Sequence, residues 1–117
     1  MIIWLASYPK SGNTWLRFYI LSLLMGKKTN LNLNHLKAIM AYPHSTQFEG
    51  LVSNLFDLDE IAKNWITSQK KVNSNKHLRF FKTHNMLGNY NEYPFTDSEN
   101  TLGAIYIVRD PRNVLIS

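Results

Sequence analysis

The sequence predicts an α/β domain with a mainly parallel sheet flanked by helices. Three short apolar segments, residues 2–6, 77–82 and 102–108, have the length and composition of buried strands. Residues 11–25 and 57–71, which lie between the first two segments, have the length and the spacing of apolar side chains that helices show. Strands that alternate with helices in this way are typical of a parallel sheet covered by helices.

Length and composition are those of a single globular domain spanning residues 1–117. The chain is 44% hydrophobic and 18% charged, which argues against disordered and fibrous classes of protein. It has no cysteine, which excludes disulfide bonds, thiolate catalysis and cysteine-ligated zinc sites. The formal net charge of +5 favours an anionic partner, and at this point a nucleotide, a nucleic acid and an anionic lipid all remain open.

The apolar segments do not have the pattern of a secretory signal or a membrane anchor. No lysine or arginine precedes the apolar segment that begins at Ile2, and that segment has only the length of a strand before Pro9. The apolar run from Trp15 to Met25 contains Arg17 and is shorter than the roughly 20 residues that a membrane-spanning helix needs. The sequence therefore predicts a cytoplasmic protein without membrane insertion, and it leaves the oligomeric state open.

The first strand and the helix after it are separated by a tight turn. Residues 2–6 are all apolar, and Tyr8 and Pro9 end the strand. A helix is predicted over residues 11–25, which contain no helix breaker after the first turn, and Gly26 with the two lysines that follow it marks the helix end. Because apolar residues cover most of its circumference, this helix is expected to be largely buried.

A second long helix is predicted over residues 57–71, after a short helix at residues 33–40 and a loop. Apolar side chains recur at i, i+3, i+4, i+7 and i+8 from Leu58, which gives the segment one apolar face. Asp57 and Glu60 have the spacing of a helix N-cap and its third residue. The segment is therefore expected to be one amphipathic helix.

The remaining two strands follow polar loops. Residues 77–82 come after a loop rich in asparagine and lysine, and residues 102–108 are nearly all apolar. A strand that is apolar throughout is typical of a sheet interior covered on both faces. Residues 102–108 are therefore expected to form the central strand.

Each predicted strand is followed directly by polar residues. The three clusters are Lys10-Ser11-Gly12-Asn13-Thr14, Lys82-Thr83-His84 and Arg109-Asp110. Because ligands bind outside the carboxyl ends of the strands in open parallel sheets, these clusters are expected to converge on one crevice. Taken alone, the last cluster is equally typical of a local ion pair, and a lone histidine after a strand is more often structural than catalytic.

The first cluster has the chemistry of an anion-binding turn. Glycine lets the backbone approach a ligand closely, and the unpaired N–H groups at a helix start favour negative charge. Lys10 adds a positive charge, and Ser11 and Thr14 add hydroxyl donors. The lysine precedes Gly12, so the spacing is not that of a Walker A loop. Taken alone, such a segment is more often an ordinary strand-to-helix turn than a phosphate-binding loop.

Three segments resemble motifs of the sulfotransferases that use 3′-phosphoadenosine 5′-phosphosulfate. The segment YPKSGNTWL is similar to the loop that binds the 5′-phosphosulfate, and IYIVRDPRNVLIS is similar to the segment that binds the 3′-phosphate. FFKTHNML matches a Lys-Thr-His unit at the end of a strand. The resemblance runs over essentially the whole chain and implies a P-loop-like nucleotide-binding fold. It also implies the amino-terminal part of such an enzyme, because the family's basic, glycine-rich carboxyl-terminal segment does not occur in these 117 residues.

The resemblance implies a role for each matching residue. Lys10 would bind the 5′-phosphate and the bridging oxygen, and Lys82 would be a cation near the transferring group. His84 would be the general base that removes a proton from the acceptor, and Trp15 would contact the adenine. The other expected donor contacts are Ser11, Gly12, Asn13 and Thr14 at the 5′-phosphosulfate, and Arg109 and Ser117 at the 3′-phosphate.

These residue types suit sulfuryl transfer without a metal. Such a transfer needs in-line alignment and stabilisation of charge on the leaving oxygen, which lysines can provide as magnesium does in kinases. Histidine suits the base role because imidazole titrates near neutral pH. The resemblance implies a small-molecule acceptor bound by the loops at residues 42–56 and 86–95. The alternative is a catalytically inactive nucleotide-binding fragment or remnant. Nucleic-acid binding is not expected, because the basic residues are dispersed.

Overall fold

A computed structural model describes residues 1–26 and 30–117, so that Lys27 and Lys28, expected just after the first helix, lie outside the described residues. In chain order the described elements are β1 (Ile2–Ser7), α1 (Asn13–Met25), two 3-10 helices (Leu33–Ala38 and Ser45–Gln47), α2 (Leu58–Lys63), α3 (Trp65–Asn73), β2 (Arg79–Thr83), β3 (Asn89–Tyr90), β4 (Tyr93–Pro94), β5 (Thr101–Ile107) and α4 (Pro111–Ile116). No helix within these ranges has both the length and the hydropathy needed to cross a membrane.

β1 is the central strand of the main sheet in the described residues. β2 and β5 pair with β1 in parallel, one on each side, so that the strand order is β2-β1-β5. In this register Trp4 lies between Phe81 and Ala104. The predicted α/β class, with a parallel sheet flanked by helices, is therefore confirmed.

The expectation that residues 102–108 form the central strand is wrong for the described sheet. β5 lies at the edge of that sheet and pairs with β1 alone. Its apolar side chains are largely open to solvent, since Leu102 is 61% exposed and Tyr106 is 69% exposed. An apolar run predicts burial on both faces, but the position of a strand in a sheet depends on pairing partners that its own composition does not specify.

α1 covers one face of the sheet with a narrow apolar stripe. Ile20 and Leu21 pack with Leu5 of β1 and with Ile39 in a buried cluster. On the other side of the helix Trp15 is 71% exposed, and within the described residues no element covers it. The expectation that this helix is largely buried is wrong, because only one side of it contacts the sheet.

The segment predicted as one helix over residues 57–71 is two helices that meet at Asn64. The side-chain amide of Asn64 donates a hydrogen bond to the backbone carbonyl oxygen of Glu60 at 2.9 Å. This bond competes with the regular backbone hydrogen bonding of a continuous helix. Asp57 is the N-cap as predicted, because its carboxylate accepts hydrogen bonds from two amides of the first turn. The Glu60 carboxylate does not complete a capping box, since it accepts from the amides of Ser53 and Asn54 instead.

A larger aromatic cluster fills the sheet face opposite α1. Its main members are Trp4, Tyr42, Phe48, Trp65, Phe81 and Phe95. The side chains of Tyr42, Ser68 and Gln69 inside this cluster bond to one another and to backbone, whereas the Nε1 atom of Trp65 is buried without a partner among the described residues. The Tyr42 hydroxyl donates to the Trp65 carbonyl oxygen at 3.0 Å, and burial raises the pKa of Tyr42 to about 12. The buried Gln69 side chain donates to the Phe95 carbonyl oxygen at 2.6 Å. This cluster is the main hydrophobic core of the described residues.

Candidate active site

The loop between β1 and α1 exposes amide groups at the start of α1. Lys10 and Gly12 both have left-handed backbones, with φ of 66° and 100°. This conformation is easy for glycine but unusual for lysine, so the loop follows a defined and strained path. Within the described chain no side chain caps α1, and its first-turn N–H groups therefore remain available to an anion.

Asn13 fixes this loop to the end of β1. Its side-chain amide donates to the Leu5 carbonyl oxygen at 2.9 Å and to the Ser7 hydroxyl at 3.1 Å. Its Oδ1 atom is buried and has no partner among the described residues. The side chain of Asn13 is thus directed into the protein, where it positions the loop, and its backbone amide lies in the first turn of α1.

His84 is held by the end of β1. Its Nδ1 atom lies 2.6 Å from the carbonyl oxygen of Ser7. Because a carbonyl oxygen only accepts, Nδ1 carries the proton of the neutral ring, and Nε2 is the nitrogen that can accept one. The turn after β2 is fixed by the Thr83 hydroxyl, which accepts a hydrogen bond from the Asn85 amide at 3.1 Å. The tautomer, assigned from this hydrogen-bond pattern, is the one that a general base needs.

Lys82 approaches the same end of the sheet from the side of α1. It is half-buried beside Arg17, and burial first and the Arg17 charge second lower its pKa. Arg17 itself donates to the Ile39 carbonyl oxygen at 3.3 Å and to the Thr14 hydroxyl at 3.4 Å. Neither cation forms a salt bridge with a carboxylate of the described residues. The structure therefore places two unneutralised cations near each other, of which Arg17 contacts Thr14 in the first turn of α1.

Arg109 connects the third polar cluster to the first. Its guanidinium donates to the carbonyl oxygen of Lys10 at 3.0 Å. Asp110 does not pair with Arg109, and the local ion pair between them does not form. The Asp110 carboxylate instead accepts from Arg112 at 2.7 Å, and these hydrogen bonds lower the pKa of Asp110. The carboxylate of Asp110 is therefore paired with Arg112, and the guanidinium of Arg109 has no salt bridge with it. The charge of Arg109 is thus available to an anionic ligand.

Trp15, Thr14 and Ser117 lie at the margins of this region. The Trp15 ring stacks on Tyr19 at a centroid distance of 5.7 Å and an interplanar angle of 5°, which makes an exposed flat aromatic surface. The Ser117 hydroxyl donates to the Val114 carbonyl oxygen at 2.8 Å, at the end of α4. In this arrangement the hydroxyls of Thr14 and Ser117 both bond within the protein.

Two adjoining cavities open at the carboxyl ends of the strands. The first, about 480 Å³, includes His84 and is otherwise lined mainly by apolar side chains; we call it the histidine cavity. The second, about 300 Å³, includes Ser11 and Arg109; we call it the arginine cavity. Tyr8 and Tyr106 line both cavities, so that the two meet along these rings.

Sequence reasoning missed several residues of this region. Tyr8 and Tyr106 lie within two of the segments that resemble family motifs, but neither they nor Ser7 was assigned a role. Each lies near the carboxyl end of a strand, which is the signal that could have identified them. Of the two loops expected at the acceptor, residues 86–95 contribute to the histidine cavity. The other loop, residues 42–56, does not line it, because the large side chains at its start are buried in the aromatic core.

No three histidine or carboxylate side chains in residues 1–26 and 30–117 are grouped as a metal site requires. The polar groups described above are instead cations, hydroxyls, amides and one imidazole. Groups of these kinds can donate hydrogen bonds to an anion, and the imidazole can accept a proton. It has the chemistry of a group-transfer site for an anionic donor.

Comparison with known proteins identifies the family of this chain. The family model for the sulfotransferase domain matches residues 2–117 and so includes all three polar clusters. No curated protein matches the chain, and no solved structure matches it. Because the family match extends over nearly all of the sequence, the chain belongs to the sulfotransferase domain family.

Proposed function

We propose that this protein transfers a sulfuryl group from 3′-phosphoadenosine 5′-phosphosulfate to a hydroxyl or amine of a small-molecule acceptor. The observation that carries the proposal is the hydrogen bond from Arg109 to the Lys10 carbonyl oxygen. It joins the two motifs that resemble the 5′-phosphosulfate and 3′-phosphate sites, although Lys10 and Arg109 are 99 positions apart in the sequence. Both ends of one donor can therefore be bound at the carboxyl ends of neighbouring strands.

The residues of the first loop fit the 5′ end of such a donor. Lys10 supplies a positive charge, and the uncapped first turn of α1 supplies backbone N–H groups. Ser11, Gly12, Asn13 and Thr14 form that turn and the loop before it. An anion bound there would be held by several donors at once, which fixes its orientation for in-line transfer.

The remaining donor contacts are those that the resemblance implies at the end of β5 and in α4. Arg109, with Ser117 at the end of α4, would bind the 3′-phosphate. Arginine suits this role because its planar guanidinium recognises phosphate oxygens in pairs. The exposed ring of Trp15 offers a surface on which adenine can stack.

His84 would act as the general base. Its Nε2 atom accepts the proton of the acceptor hydroxyl while the acceptor oxygen forms a bond to sulfur and the bond from sulfur to the phosphate oxygen breaks. Lys10 and Lys82 would stabilise the negative charge that develops on that leaving phosphate oxygen. When bound, the donor supplies an activated sulfuryl group, and the products are the sulfated acceptor and 3′-phosphoadenosine 5′-phosphate.

A transfer assay tests this proposal. The chain is incubated with 35S-labelled donor and a mixed panel of phenols, alcohols and amines, and calorimetry measures binding of 3′-phosphoadenosine 5′-phosphate. We expect labelled product from the unchanged protein and loss of both product and binding in Lys10→Ala. Lys63→Ala, a change at the end of α2, serves as the matched lysine control.

The two readouts separate the proposal from its alternative. Nucleotide binding without transfer to any acceptor would favour a catalytically inactive nucleotide-binding protein. Failure of both readouts in a chain that circular dichroism shows to be folded would overturn the proposed function.

A further inference from the structure

We propose that Asn13 is a positioning residue for His84. Acting through Ser7, its side-chain amide fixes the imidazole in the tautomer whose Nε2 atom accepts a proton. This inference rests on the proposed function, because it assigns a role in the transfer step, and it goes beyond the resemblance, which implies only that Asn13 contacts the donor. Three features carry it, which are the partners of the His84 ring, the contacts of Ser7 and the position of Asn13 in α1.

The ring of His84 depends on Ser7 for its orientation. Within residues 1–26 and 30–117, both hydrogen-bond contacts of the ring are to Ser7: the Nδ1 atom lies 2.6 Å from the carbonyl oxygen and 3.4 Å from the hydroxyl. His84 is otherwise exposed, and no carboxylate of these residues pairs with it. A histidine that acts as a base is oriented by a third group at its other nitrogen. In this protein that group is Ser7.

The parallel register of β1 and β2 brings Ser7 and His84 together. The pairing of the two strands ends at Ala6 and Thr83, and Ser7 and His84 are the residues that follow these two. On its other side Ser7 is still paired with Ile107 of β5. Pairing within the sheet therefore restrains Ser7 on the β5 side, whereas on the side of His84 the strand pairing has already ended.

Asn13 adds a second attachment for Ser7. Its Nδ2 atom donates to the Leu5 carbonyl oxygen at 2.9 Å and to the Ser7 hydroxyl at 3.1 Å. The first bond fixes which way the amide points, because a carbonyl oxygen only accepts and must face the nitrogen. Asn13 and Ser7 are 6% and 4% exposed, so water does not compete for the bond between them. Asn13 thus restricts both the hydroxyl of Ser7 and the end of β1.

This attachment favours one tautomer of His84. A serine hydroxyl can accept a hydrogen bond from a protonated Nδ1 or donate one to an unprotonated Nδ1. With the hydroxyl oxygen of Ser7 held by Asn13, Nδ1 faces two accepting oxygens and keeps its proton. Without Asn13 the hydroxyl is released and can donate to Nδ1, which puts the ring proton on Nε2. A ring in that tautomer cannot accept the proton of an acceptor hydroxyl.

Asn13 also belongs to the loop that would bind the donor. It is the first residue of α1 and follows the left-handed Gly12, so that its backbone N–H is one of the uncapped amides of the first turn. Its side chain is directed inward and bonds to β1. The backbone of Asn13 would therefore contact the donor while its side chain positions the base. One residue thereby attaches both groups to the end of the same strand.

The two polar atoms of the Asn13 side chain have opposite effects on stability. The bonds from Nδ2 are favourable, but Oδ1 is buried without a partner among the described residues, which is unfavourable. Asn13→Ala removes both contributions, and alanine is a good helix former at the start of α1. We therefore expect Asn13→Ala to fold, with an unfolding midpoint in urea close to that of the unchanged protein.

Nitrogen NMR of the His84 ring tests the assignment without a donor. The 15N shifts of Nδ1 and Nε2 distinguish the two tautomers of the neutral ring. In the unchanged full chain we expect the proton on Nδ1, and in Asn13→Ala we expect most of it on Nε2. A proton on Nε2 in the unchanged protein, or on Nδ1 in both proteins, would overturn the proposal.

Asn73→Ala is the matched control. The Asn73 amide also donates to a backbone carbonyl oxygen, that of Asn100 at 3.1 Å, and its Oδ1 atom is likewise buried and unpartnered in the described part of the chain. Asn100 in turn accepts from the backbone of Ile2, at the opposite end of β1 from Ser7. Asn73→Ala should therefore leave the His84 ring shifts unchanged. The same tautomer change in both variants would mean that a general loosening of the fold, and not Asn13, affects His84.

Transfer kinetics measure the consequence for the reaction. Asn13→Ala should lower kcat about tenfold, because the ring loses its tautomer and part of its orientation but remains present. The affinity for 3′-phosphoadenosine 5′-phosphate should change less than about threefold, since the backbone amides that would bind it remain. Loss of nucleotide affinity with an unchanged kcat would show that Asn13 acts on the donor alone and would contradict the assignment.

A double-mutant cycle shows whether Asn13 acts through Ser7. Ser7→Ala removes the hydroxyl that Asn13 contacts and keeps the carbonyl oxygen that His84 contacts. If one side chain acts through the other, the double variant should lose about as much kcat as the more impaired single variant. Losses that multiply in the double variant would show independent effects and would contradict the proposed route.

The same samples show whether this inference or the proposed function has failed. A tautomer change in Asn13→Ala, in a protein that neither binds the nucleotide nor transfers the sulfuryl group, would retain the positioning of His84 and remove the reaction in which it would matter. Transfer by the unchanged protein, with the same tautomer in Asn13→Ala, would leave the proposed function intact and remove the role of Asn13.

Discussion

The aromatic core and the carboxyl-end rim are built from the same strands, but they differ in how fully their polar side chains are hydrogen-bonded within the protein. By the rim we mean Lys10, Ser11, Asn13, His84 and Arg109. In the core the amide of Gln69 donates to the Phe95 carbonyl oxygen and accepts from the Thr96 hydroxyl, each at 2.6 Å. At the rim the Oδ1 atom of Asn13 has no partner in the described residues, and the first turn of α1 lacks a side-chain cap.

Because of this difference, we expect substitutions in the core to lower stability and substitutions at the rim to lower binding or turnover. Except for the Nε1 atom of Trp65, the polar side-chain groups of the aromatic core bond to other protein groups in the described residues, so that their removal should lower the free energy of unfolding. Polar groups at the rim have accepting or donating capacity left for a ligand, so that their removal should lower binding or turnover. The predictions that follow test whether substitutions in the two regions have these opposite effects.

The largest expected effect is that of His84→Ala on turnover. Loss of the general base should lower kcat about 10²- to 10⁴-fold, with the affinity for 3′-phosphoadenosine 5′-phosphate and the unfolding midpoint in urea nearly unchanged. His77→Ala, which changes a histidine just before β2, is the control and should behave as the unchanged protein. Full turnover in His84→Ala would remove His84 from the proposed mechanism.

In the core, Phe48→Ala should produce the largest loss of stability. Phe48 is 1% exposed and contacts the Tyr42 ring at a centroid distance of 5.8 Å. Its truncation should lower the free energy of unfolding by about 3–5 kcal/mol, because it leaves a cavity in a packed cluster. Phe56→Ala removes a ring that is 95% exposed and should change stability by less than about 0.5 kcal/mol. Similar losses in the two variants, measured by urea unfolding, would mean that the described core is wrong.

A smaller effect is expected for Tyr42→Phe, and it should depend on pH. At neutral pH the loss of the hydroxyl should cost about 1–2 kcal/mol, because the Trp65 carbonyl oxygen and other buried groups lose a partner. In the unchanged protein the pKa of Tyr42 is raised from 10.0 to about 12, so the unfolded chain releases this proton first. Stability is then fully retained below pH 10 and falls as the pH rises from 10 towards 12.

Tyr42→Phe should lack that part of the alkaline loss. The stability difference between the two proteins should therefore narrow between pH 10 and pH 12, as measured by urea unfolding at a series of pH values. Tyr19→Phe, at a half-exposed position on α1, is the control and should leave the alkaline profile unchanged. A constant difference across this range would show that Tyr42 is not held neutral in the folded state.

The smallest expected effect concerns the cations on the α1 side of the rim. Burial is the larger cause that lowers the pKa of Lys82, and the charge of Arg17 is the smaller one. Arg17→Met should therefore raise the pKa of Lys82 slightly while leaving it below the usual range. NMR titration of the lysine side chain measures this shift. Arg112→Met removes an arginine that pairs with Asp110 and should have no effect on Lys82.

Local patterns in the sequence predicted most of the fold. The strands at residues 2–6 and 77–82, the N-cap at Asp57 and the polar clusters after each strand depend on neighbouring residues along the chain, and they form with small shifts in their bounds. The position of β5 at the sheet edge and the exposed side of α1 depend on which elements meet in space. Composition alone does not determine such contacts, which is why those two expectations were wrong.

The same distinction applies to the candidate site. The motifs identified Lys10, His84 and Arg109, because their spacing after strands is visible in the sequence. The bond between His84 and the Ser7 carbonyl oxygen joins residues 77 positions apart and involves a backbone atom, so no side-chain pattern reveals it. The pairing of Asp110 with Arg112 depends on the start of α4 at Pro111, where the carboxylate also caps the helix.

The most direct test of the central claim is a calorimetric comparison of two nucleotides with and without Arg109. The claim is that the rim binds a donor at both of its phosphate ends, with Arg109 at the 3′-phosphate. In the unchanged protein 3′-phosphoadenosine 5′-phosphate should bind about tenfold or more tightly than adenosine 5′-phosphate, and in Arg109→Ala the two affinities should become nearly equal. A preference that is absent from the unchanged protein, or that persists in Arg109→Ala, would contradict this account of the site.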